Sequence, residues 1–315
     1  MAQQNGYATG LVATCHLTHA TPAAFAAHDS SRGHYQAIAE DFSQANVSVM
    51  LGGGYGESYI GNYISDFVDQ GYEYIMNRTA LESVTNTTVL GLFASGSQPP
   101  LHTMLENSTI PTLSEMTIKA IELLNATNQP FFLMVEGSQI DWAGHDNDQI
   151  YLAHQIIEFE KAVRYVKTLA EQNSDWQVLV TADHETGGFS VEDYSFQTGI
   201  PLETDSFTEK QDKRTARAQE IDVDWSTLGH TNTRIILAGM GPYTEQIQNA
   251  DHHVDTFSIM RQAIDGETEP VESGYYNGYL PIYARYLIGL SSAAIIGSAS
   301  YLIMIRIIRN RKRKN

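Results

Sequence analysis

The chain has 315 residues, of which 42% are apolar and 18% charged, so its length and composition allow one large globular domain or two ordinary ones. A single cysteine, Cys15, excludes an internal disulfide framework. Acidic residues (37) exceed basic residues (19), and the resulting charge of −18 argues against a nucleic-acid-binding surface, which needs clustered basic residues.

Short apolar segments typical of buried strands alternate with amphipathic helical segments along residues 1–265. The predicted strands are residues 7–14, 47–51, 131–136, 177–182 and 234–239. The predicted helices are residues 113–125, 149–172 and 254–265. This alternation predicts an α/β fold with a largely parallel central sheet and helices on both faces. Residues 190–228 are polar and acidic without clear periodicity, which predicts an excursion from the sheet.

The charge is distributed unevenly between the body of the chain and its C-terminal end. Twelve basic and 37 acidic residues over residues 1–284 give −25, whereas the rest of the chain has seven basic and no acidic residues. Residues 286–305 are uncharged and largely apolar, and a helix of that length spans about 30 Å, the thickness of a bilayer core. The sequence therefore predicts a juxtamembrane linker (266–285), a transmembrane helix (286–305) and a basic tail (306–315).

The basic tail marks the cytoplasmic side of such a span, so the acidic domain is predicted to lie outside the cytoplasm as part of a single-pass membrane protein. A buried amphiphilic helix with a solvated basic end is the alternative. The N-terminal residues MAQQNGYATG lack the basic and apolar regions of a signal peptide, so we expect the chain to begin downstream of its true start. Sequons fit an extracytoplasmic domain, although so short a motif often occurs by chance; they begin at Asn46, Asn77, Asn86, Asn107 and Asn125.

Carboxylate and imidazole side chains follow two predicted strands and precede a third. They are Glu136, Asp141, His145, Asp183, His184 and His230. In α/β sheets, ligands bind in the crevice at the carboxyl ends of the strands, so the groups that follow strands are placed to converge. Asp141 and His145 are four residues apart and point the same way on a helical turn. Carboxylate oxygens with imidazole nitrogens indicate catalytic rather than structural zinc.

Each of these features is weak evidence when it is taken alone. An Asp-x-x-x-His spacing is common without a metal, and an Asp that follows a strand is often the N-cap of a helix. His230, in the segment GHTNT, is in a context typical of a turn residue. The joint occurrence of these residues beside buried strands favours the metal site.

Four long segments resemble the alkaline phosphatase family: YATGLVATCHLTHATPAAFAAHDSSR, FFLMVEGSQIDWAGHDND, VLVTADHETGG and GHTNTRIILAGMGP. The matching segments run through most of residues 1–265 and exclude the C-terminal tail. The resemblance implies hydrolysis of phosphate monoesters through a phosphoserine, with two zinc ions and one magnesium ion. It also implies a possible homodimer, because the family is commonly dimeric.

The resemblance also assigns roles to individual residues. The first zinc would be held by Asp141, His145 and His230, the second zinc by Asp183 and His184, and magnesium by Thr21 and Glu136. Arg32 matches the arginine that binds phosphate, a role for which a planar guanidinium is suited. His19 lies near the magnesium position, and because magnesium prefers oxygen ligands we expect it to support a ligand rather than to bind the ion.

The chain departs from the family pattern at the nucleophile. In the family, a Gly-Asp-Gly-Met-type segment and an Asp-Ser segment with the nucleophilic serine precede the part that matches residues 1–15, and neither is present here. The pair Asp29-Ser30 aligns with the helix that carries Arg32, so we do not expect it to supply the nucleophile. Residues 1–265 therefore resemble an N-terminally truncated phosphatase domain, which we expect to show little or no activity alone.

Two other functions are compatible with the sequence. One is a metal-binding surface protein without hydrolytic activity, which the missing nucleophile would explain. The other is a related metal-dependent phosphodiesterase. The combination of Thr21, Glu136 and Arg32 speaks against the phosphodiesterase, because a magnesium site and this arginine are features of the phosphatases.

Overall fold

The computed structural model describes residues 1–106 and 108–266 and the backbone of residues 300–306. The strands are β1 (Ala8–His16), β2 (Val49–Gly53), β3 (Glu73–Ile75), β4 (Val89–Leu92), β5 (Phe131–Gly137), β6 (Trp176–Ala182), β7 (Glu185–Thr186), β8 (Phe189–Tyr194), β9 (Ile221–Trp225), β10 (His230–Thr231), β11 (Ala238–Met240) and β12 (Ser300–Arg306). The α-helices are α1 (Ala20–Ala26), α2 (Tyr35–Gln44), α3 (Ile64–Asp69), α4 (Arg78–Ser83), α5 (Leu113–Ala126), α6 (Gln139–His145), α7 (Gln149–Gln172), α8 (Phe207–Gln219) and α9 (His253–Asp265).

The central sheet has eight strands in the order β11-β6-β12-β5-β1-β2-β4-β3. The pairs β5–β1, β1–β2, β2–β4 and β4–β3 are parallel. Strand β12 is antiparallel to both β5 and β6, so those two strands run parallel to each other. The carboxyl ends of β1, β5 and β6 consequently lie at the same edge of the sheet.

The sheet separates two hydrophobic cores, because successive residues of a strand point to opposite faces. In β2, Val49 and Leu51 belong to the core that also contains residues of α5 and α7. Met50, between them, belongs to the core on the other face, with residues of α1, α2, α3 and α9. The predicted α/β fold, with a largely parallel sheet and helices on both faces, is confirmed.

Helices α5 and α7 show how local sequence fixes the element ends. Helix α5 begins with a capping box in which Thr112 and Glu115 each bond the other's backbone. Helix α7 begins at the N-cap Asp148, whose carboxylate accepts hydrogen bonds from the amides of Ile150 and Tyr151. The predicted bounds 149–172 agree with the structure, because a cap and a clear amphipathic period coincide there.

The predicted excursion over residues 190–228 contains regular structure of its own. Strands β8 and β9 form a separate antiparallel pair, and the polar helix α8 connects them. The predicted strand over residues 234–239 is shorter in the structure, since only β11 pairs, antiparallel to β6, at the edge of the central sheet.

The structure differs from the predicted transmembrane helix over residues 286–305 at residues 300–305. These residues belong to β12, which lies between β5 and β6. Residues 301–305 read Tyr-Leu-Ile-Met-Ile, and hydrophobicity alone does not distinguish a lipid-facing helix from a strand inside a sheet. Residues 286–299, the linker from residue 267 onward and the tail after residue 306 lie outside the described residues. Within the described part of the chain, no helix has both the length and the apolar character needed to cross a bilayer.

Candidate metal centre

The predicted metal ligands are brought together at the carboxyl edge of the sheet. Asp141 and His145 lie on α6, which begins two residues after β5 ends. Asp183 and His184 directly follow β6. His230 lies on β10, which pairs with β7 so that His230 is opposite Thr186. The pairing of β7 with β10 thus brings Asp141 and His230, which are 89 positions apart in the chain, to one site.

Asp141, His145 and His230 form a compact group of three potential ligands. Their ligand atoms all lie within 4.8 Å of one another. The Oδ1 atom of Asp141 is 3.5 Å from Nε2 of His145 and 3.8 Å from Nε2 of His230, and the two Nε2 atoms are 3.2 Å apart. Three protein ligands of these types, with one position left open, are the arrangement of catalytic zinc sites, so this group fits the first predicted zinc.

The imidazole of His145 is held in an orientation suited to metal binding. Its Nδ1 lies 2.6 Å from the backbone carbonyl oxygen of Leu228. A carbonyl oxygen can only accept a hydrogen bond, so Nδ1 carries the proton and Nε2 presents its lone pair to Asp141 and His230. A backbone carbonyl that orients a histidine in this way is common around metal ligands.

Asp183 and His184, the predicted ligands of the second zinc, form a pair beside this group. Nε2 of His184 is 3.1 Å from Oδ2 of Asp183, and its ring stacks on the ring of His230 with the centroids 3.6 Å apart. Carboxylate and imidazole are zinc ligands, so the pair fits two positions of the second site.

Thr186 joins the two predicted zinc sites and was missed by the sequence analysis. Its hydroxyl group donates to Oδ1 of Asp141 at 2.6 Å and lies 3.3 Å from Nδ1 of His184. The side chain is fully buried. The sequence around Thr186 gave no indication of this role, because Asp141, the residue that Thr186 contacts, is 45 positions away in the chain.

Glu136, a predicted magnesium ligand, lies in a second buried group of side chains. It is 1% exposed, and its Oε2 accepts a hydrogen bond from Sγ of Cys15 at 3.4 Å. The hydroxyls of Ser138 and Thr21, the other predicted magnesium ligand, also bond its carboxylate. Burial raises the pKa of Glu136 to about 7. Thr21 and Glu136 are thus brought together as expected.

Potential ligand atoms of Cys15, His19 and Glu136 also lie within 4.8 Å of one another. Thiol and imidazole groups differ from the all-oxygen set that magnesium prefers, so this group does not fit a magnesium ion. Cys15 was missed as a site residue, although it was visible in the segment ATCHLTHATP near the end of a predicted strand.

Arg32 lies in the loop between α1 and α2 with its side chain exposed. One guanidinium nitrogen, Nη2, is 3.3 Å from Nε2 of His19. Burial and then the positive charge on Arg32 lower the pKa of His19. In the same loop, Asp29 accepts hydrogen bonds from the amide of Ser31 and the ring of His34. The Asp29 carboxylate therefore stabilises the loop.

These features define a class: an α/β protein with groups of metal-binding side chains at the carboxyl edge of a largely parallel sheet. The family model described as alkaline phosphatase matches residues 1–207. The chain belongs to the alkaline phosphatase family.

Curated relatives support the same membership. The chain is 42% identical to alkaline phosphatase 3 of Bacillus subtilis over 198 residues, which covers 60% of this chain and 42% of that protein. It is 28% identical to the alkaline phosphatase of Escherichia coli over 316 aligned positions, covering 84% of this chain and 66% of that one. The chain thus spans 42% of the length of its Bacillus relative.

Solved structures agree with the fold. The alkaline phosphatase from the Antarctic bacterium TAB5 is 32% identical with a TM-score of 0.63, covering 78% of this chain and 68% of that one. The cold-active enzyme from Shewanella sp. is 30% identical with a TM-score of 0.62, covering 77% of this chain and 71% of that one. A variant of the TAB5 enzyme has magnesium bound at a site named M3.

Proposed function

We propose that this chain carries the metal-binding and phosphate-binding part of a phosphate monoester hydrolase that forms a phosphoserine. The observation that carries the proposal is the group of Asp141, His145 and His230 beside the pair of Asp183 and His184. Family membership supports the reaction type. Two zinc ions, when bound, supply Lewis-acid stabilisation of the attacking and leaving oxygens in an in-line displacement.

The residues of the chain have distinct tasks in this proposal. Asp141, His145 and His230 hold the first zinc, and Asp183 and His184 hold the second. Arg32 binds two phosphate oxygens through its planar guanidinium, for which its exposed position leaves room. Arg32 favours monoesters over diesters in this proposal, because a monoester dianion places one more negative charge beside the guanidinium than a diester monoanion does.

We further propose that the 315-residue chain does not catalyse turnover alone, because the family's nucleophile segment has no counterpart in it. The test is hydrolysis of p-nitrophenyl phosphate with added zinc and magnesium, with bis-p-nitrophenyl phosphate as the diester control. We expect little or no product from the chain and about two zinc ions retained at the Asp141 and Asp183 sites.

The outcomes separate the parts of the proposal. Turnover of the monoester by the chain would contradict the proposal that the chain lacks a nucleophile. If that turnover is lost in Arg32→Ala, the proposed phosphatase site is still supported. Faster hydrolysis of the diester would favour the phosphodiesterase. If a chain extended to include an Asp-Ser segment binds zinc without turnover, the non-catalytic surface protein is favoured. A homodimer remains an expectation from the family.

The location of the protein is a separate proposal, which depends on residues 286–315. The apolar run and the basic tail favour a single membrane span with the domain outside the cytoplasm. This span is incompatible with β12, since a helix limited to residues 286–299 would be only about 21 Å long, short of a bilayer core. In extraction of membranes with alkaline carbonate, retention of the chain supports the span and release of the chain supports the strand.

A further inference from the structure

The group of Cys15, His19 and Glu136 has a geometry that its neighbouring elements impose. Cys15 is the penultimate residue of β1, and Glu136 is the penultimate residue of β5. The two strands are paired in parallel, with Ala13 opposite Glu136, so both side chains lie at the carboxyl edge. His19 is the residue immediately before α1 and brings its ring to the same place. The arrangement is therefore part of the sheet framework.

Burial makes this group costly without a cation. The Cys15 thiol is fully buried and Glu136 is 1% exposed. Nδ1 of His19 is also buried and lacks a hydrogen-bond partner among the described residues. A buried polar atom without a hydrogen-bond partner is unfavourable, and a cation compensates a buried carboxylate more fully than hydrogen bonds from neutral groups do. A divalent cation coordinated by the group would satisfy the carboxylate and take the lone pair of Nδ1, which requires His19 to carry its proton on Nε2 and Arg32 to turn away from that atom.

The donor types decide which cation suits the group. Magnesium demands near-octahedral coordination by oxygen and retains water molecules. Zinc binds cysteine thiolate, histidine nitrogen and carboxylate oxygen in tetrahedral sites. Thiolate ligands select zinc over magnesium, because a soft sulfur ligand suits a borderline-soft ion.

We propose that Cys15, His19 and Glu136 form a third zinc site, with the Thr21 hydroxyl beside it, in place of a magnesium site. Cys15 binds as the thiolate and its proton passes to solvent when the zinc–sulfur bond forms. The proposal deepens the proposed function and rests on it for the two neighbouring zinc sites. His19 is then a ligand, in contrast to the supporting role expected from its position near a magnesium ion.

The test uses cobalt(II) as a spectroscopic substitute for zinc in the 315-residue chain. A cobalt–thiolate bond produces a charge-transfer band in the near ultraviolet that nitrogen and oxygen ligands do not produce. We expect this band in the wild-type chain and its complete loss in Cys15→Ser. His145→Ala serves as the matched control, because it removes a ligand of the first site and leaves the thiolate band unchanged.

Zinc content, measured after dialysis against a large excess of magnesium, provides a second readout. We expect the wild type to retain one more zinc equivalent than Cys15→Ser and one more than Cys15→Ala. If the cobalt-loaded wild type shows no thiolate band, the proposal is overturned. Equal zinc content in the wild type and both variants, or displacement of one equivalent by magnesium, would also overturn it. A failure of the proposed function would give a different result. The chain would then bind no zinc that depends on His145, while the thiolate band would still be present.

Discussion

Replacement of Thr186 by valine is expected to weaken zinc binding by about 10–100-fold, the range found when a residue that orients a metal ligand is removed. The Thr186 hydroxyl holds Oδ1 of Asp141 at 2.6 Å and contacts Nδ1 of His184 at 3.3 Å, so one atom orients ligands of both predicted zinc sites. Valine has nearly the same shape and fits the buried position, but it cannot form these bonds. The measurement is zinc affinity in competition with a chelator at neutral pH.

Thr186→Ser is the matched control, because serine keeps the hydroxyl group and loses only a methyl group. We expect Thr186→Ser to stay within a few fold of the wild-type affinity. If Thr186→Val also binds zinc with wild-type affinity, the Thr186 hydroxyl does not orient Asp141 and His184, and its contacts are incidental to the site.

Replacement of His154 by glutamine is expected to reduce the loss of stability between pH 6.5 and pH 4, to which His16, whose pKa burial also lowers to about 4, contributes in the same direction. His154 is fully buried on α7, and its Nε2 lies 3.0 Å from the hydroxyl oxygen of Thr215 on α8. Burial, followed by the charges of Arg214 and His102, lowers the pKa of His154 to about 4. In the unfolded chain a histidine has a pKa of about 6.5.

The direction of the effect follows from proton binding. Between pH 6.5 and pH 4 the unfolded chain binds a proton at His154 that the folded chain does not bind, so the free energy of unfolding falls as the pH falls. The two pKa values correspond to about 3 kcal/mol, fully present above pH 6.5 and lost by about pH 4. Glutamine cannot be protonated and keeps a hydrogen-bonding group near Thr215.

Urea unfolding at pH 7.5, 5.5 and 4.5 measures this dependence. His28→Gln is the control, because the exposed ring of His28 is in contact with water in the folded chain, and we expect it to keep the wild-type pH dependence. A His154→Gln variant that loses stability as steeply as the wild type over this range would show that His154 does not contribute to the pH dependence.

Much of the fold was predictable because local signals agreed with tertiary packing. The segments 131–136 and 177–182 are largely apolar, which is typical of strands covered on both faces, and they correspond to β5 and β6. Strands β3 and β4 were not predicted, because three or four residues are too few for a period to stand out. Their pairing with each other and with β2 is decided by the sheet.

The candidate metal site likewise has features that the sequence predicted and features that only the structure shows. The metal-binding residue types and their order were visible in the sequence, and Asp141 and His145 lie on one helical turn as their spacing predicted. The support from Thr186 and from the carbonyl of Leu228 was not visible, because these contacts to Asp141 and His145 span 45 and 83 residues. Contacts over such distances depend on the pairing of β7 with β10 and on the loop before His230.

The sequence by itself determined the charge division, the alternation of strands and helices, and the family motifs, because these properties belong to local stretches of chain. Only the tertiary structure decided that residues 300–305 lie in a strand, since an apolar run fits a sheet interior as well as a lipid bilayer. It also decided that Cys15, which first served only to exclude disulfides, contacts Glu136. That contact exists because two parallel strands 121 residues apart end at the same edge of one sheet.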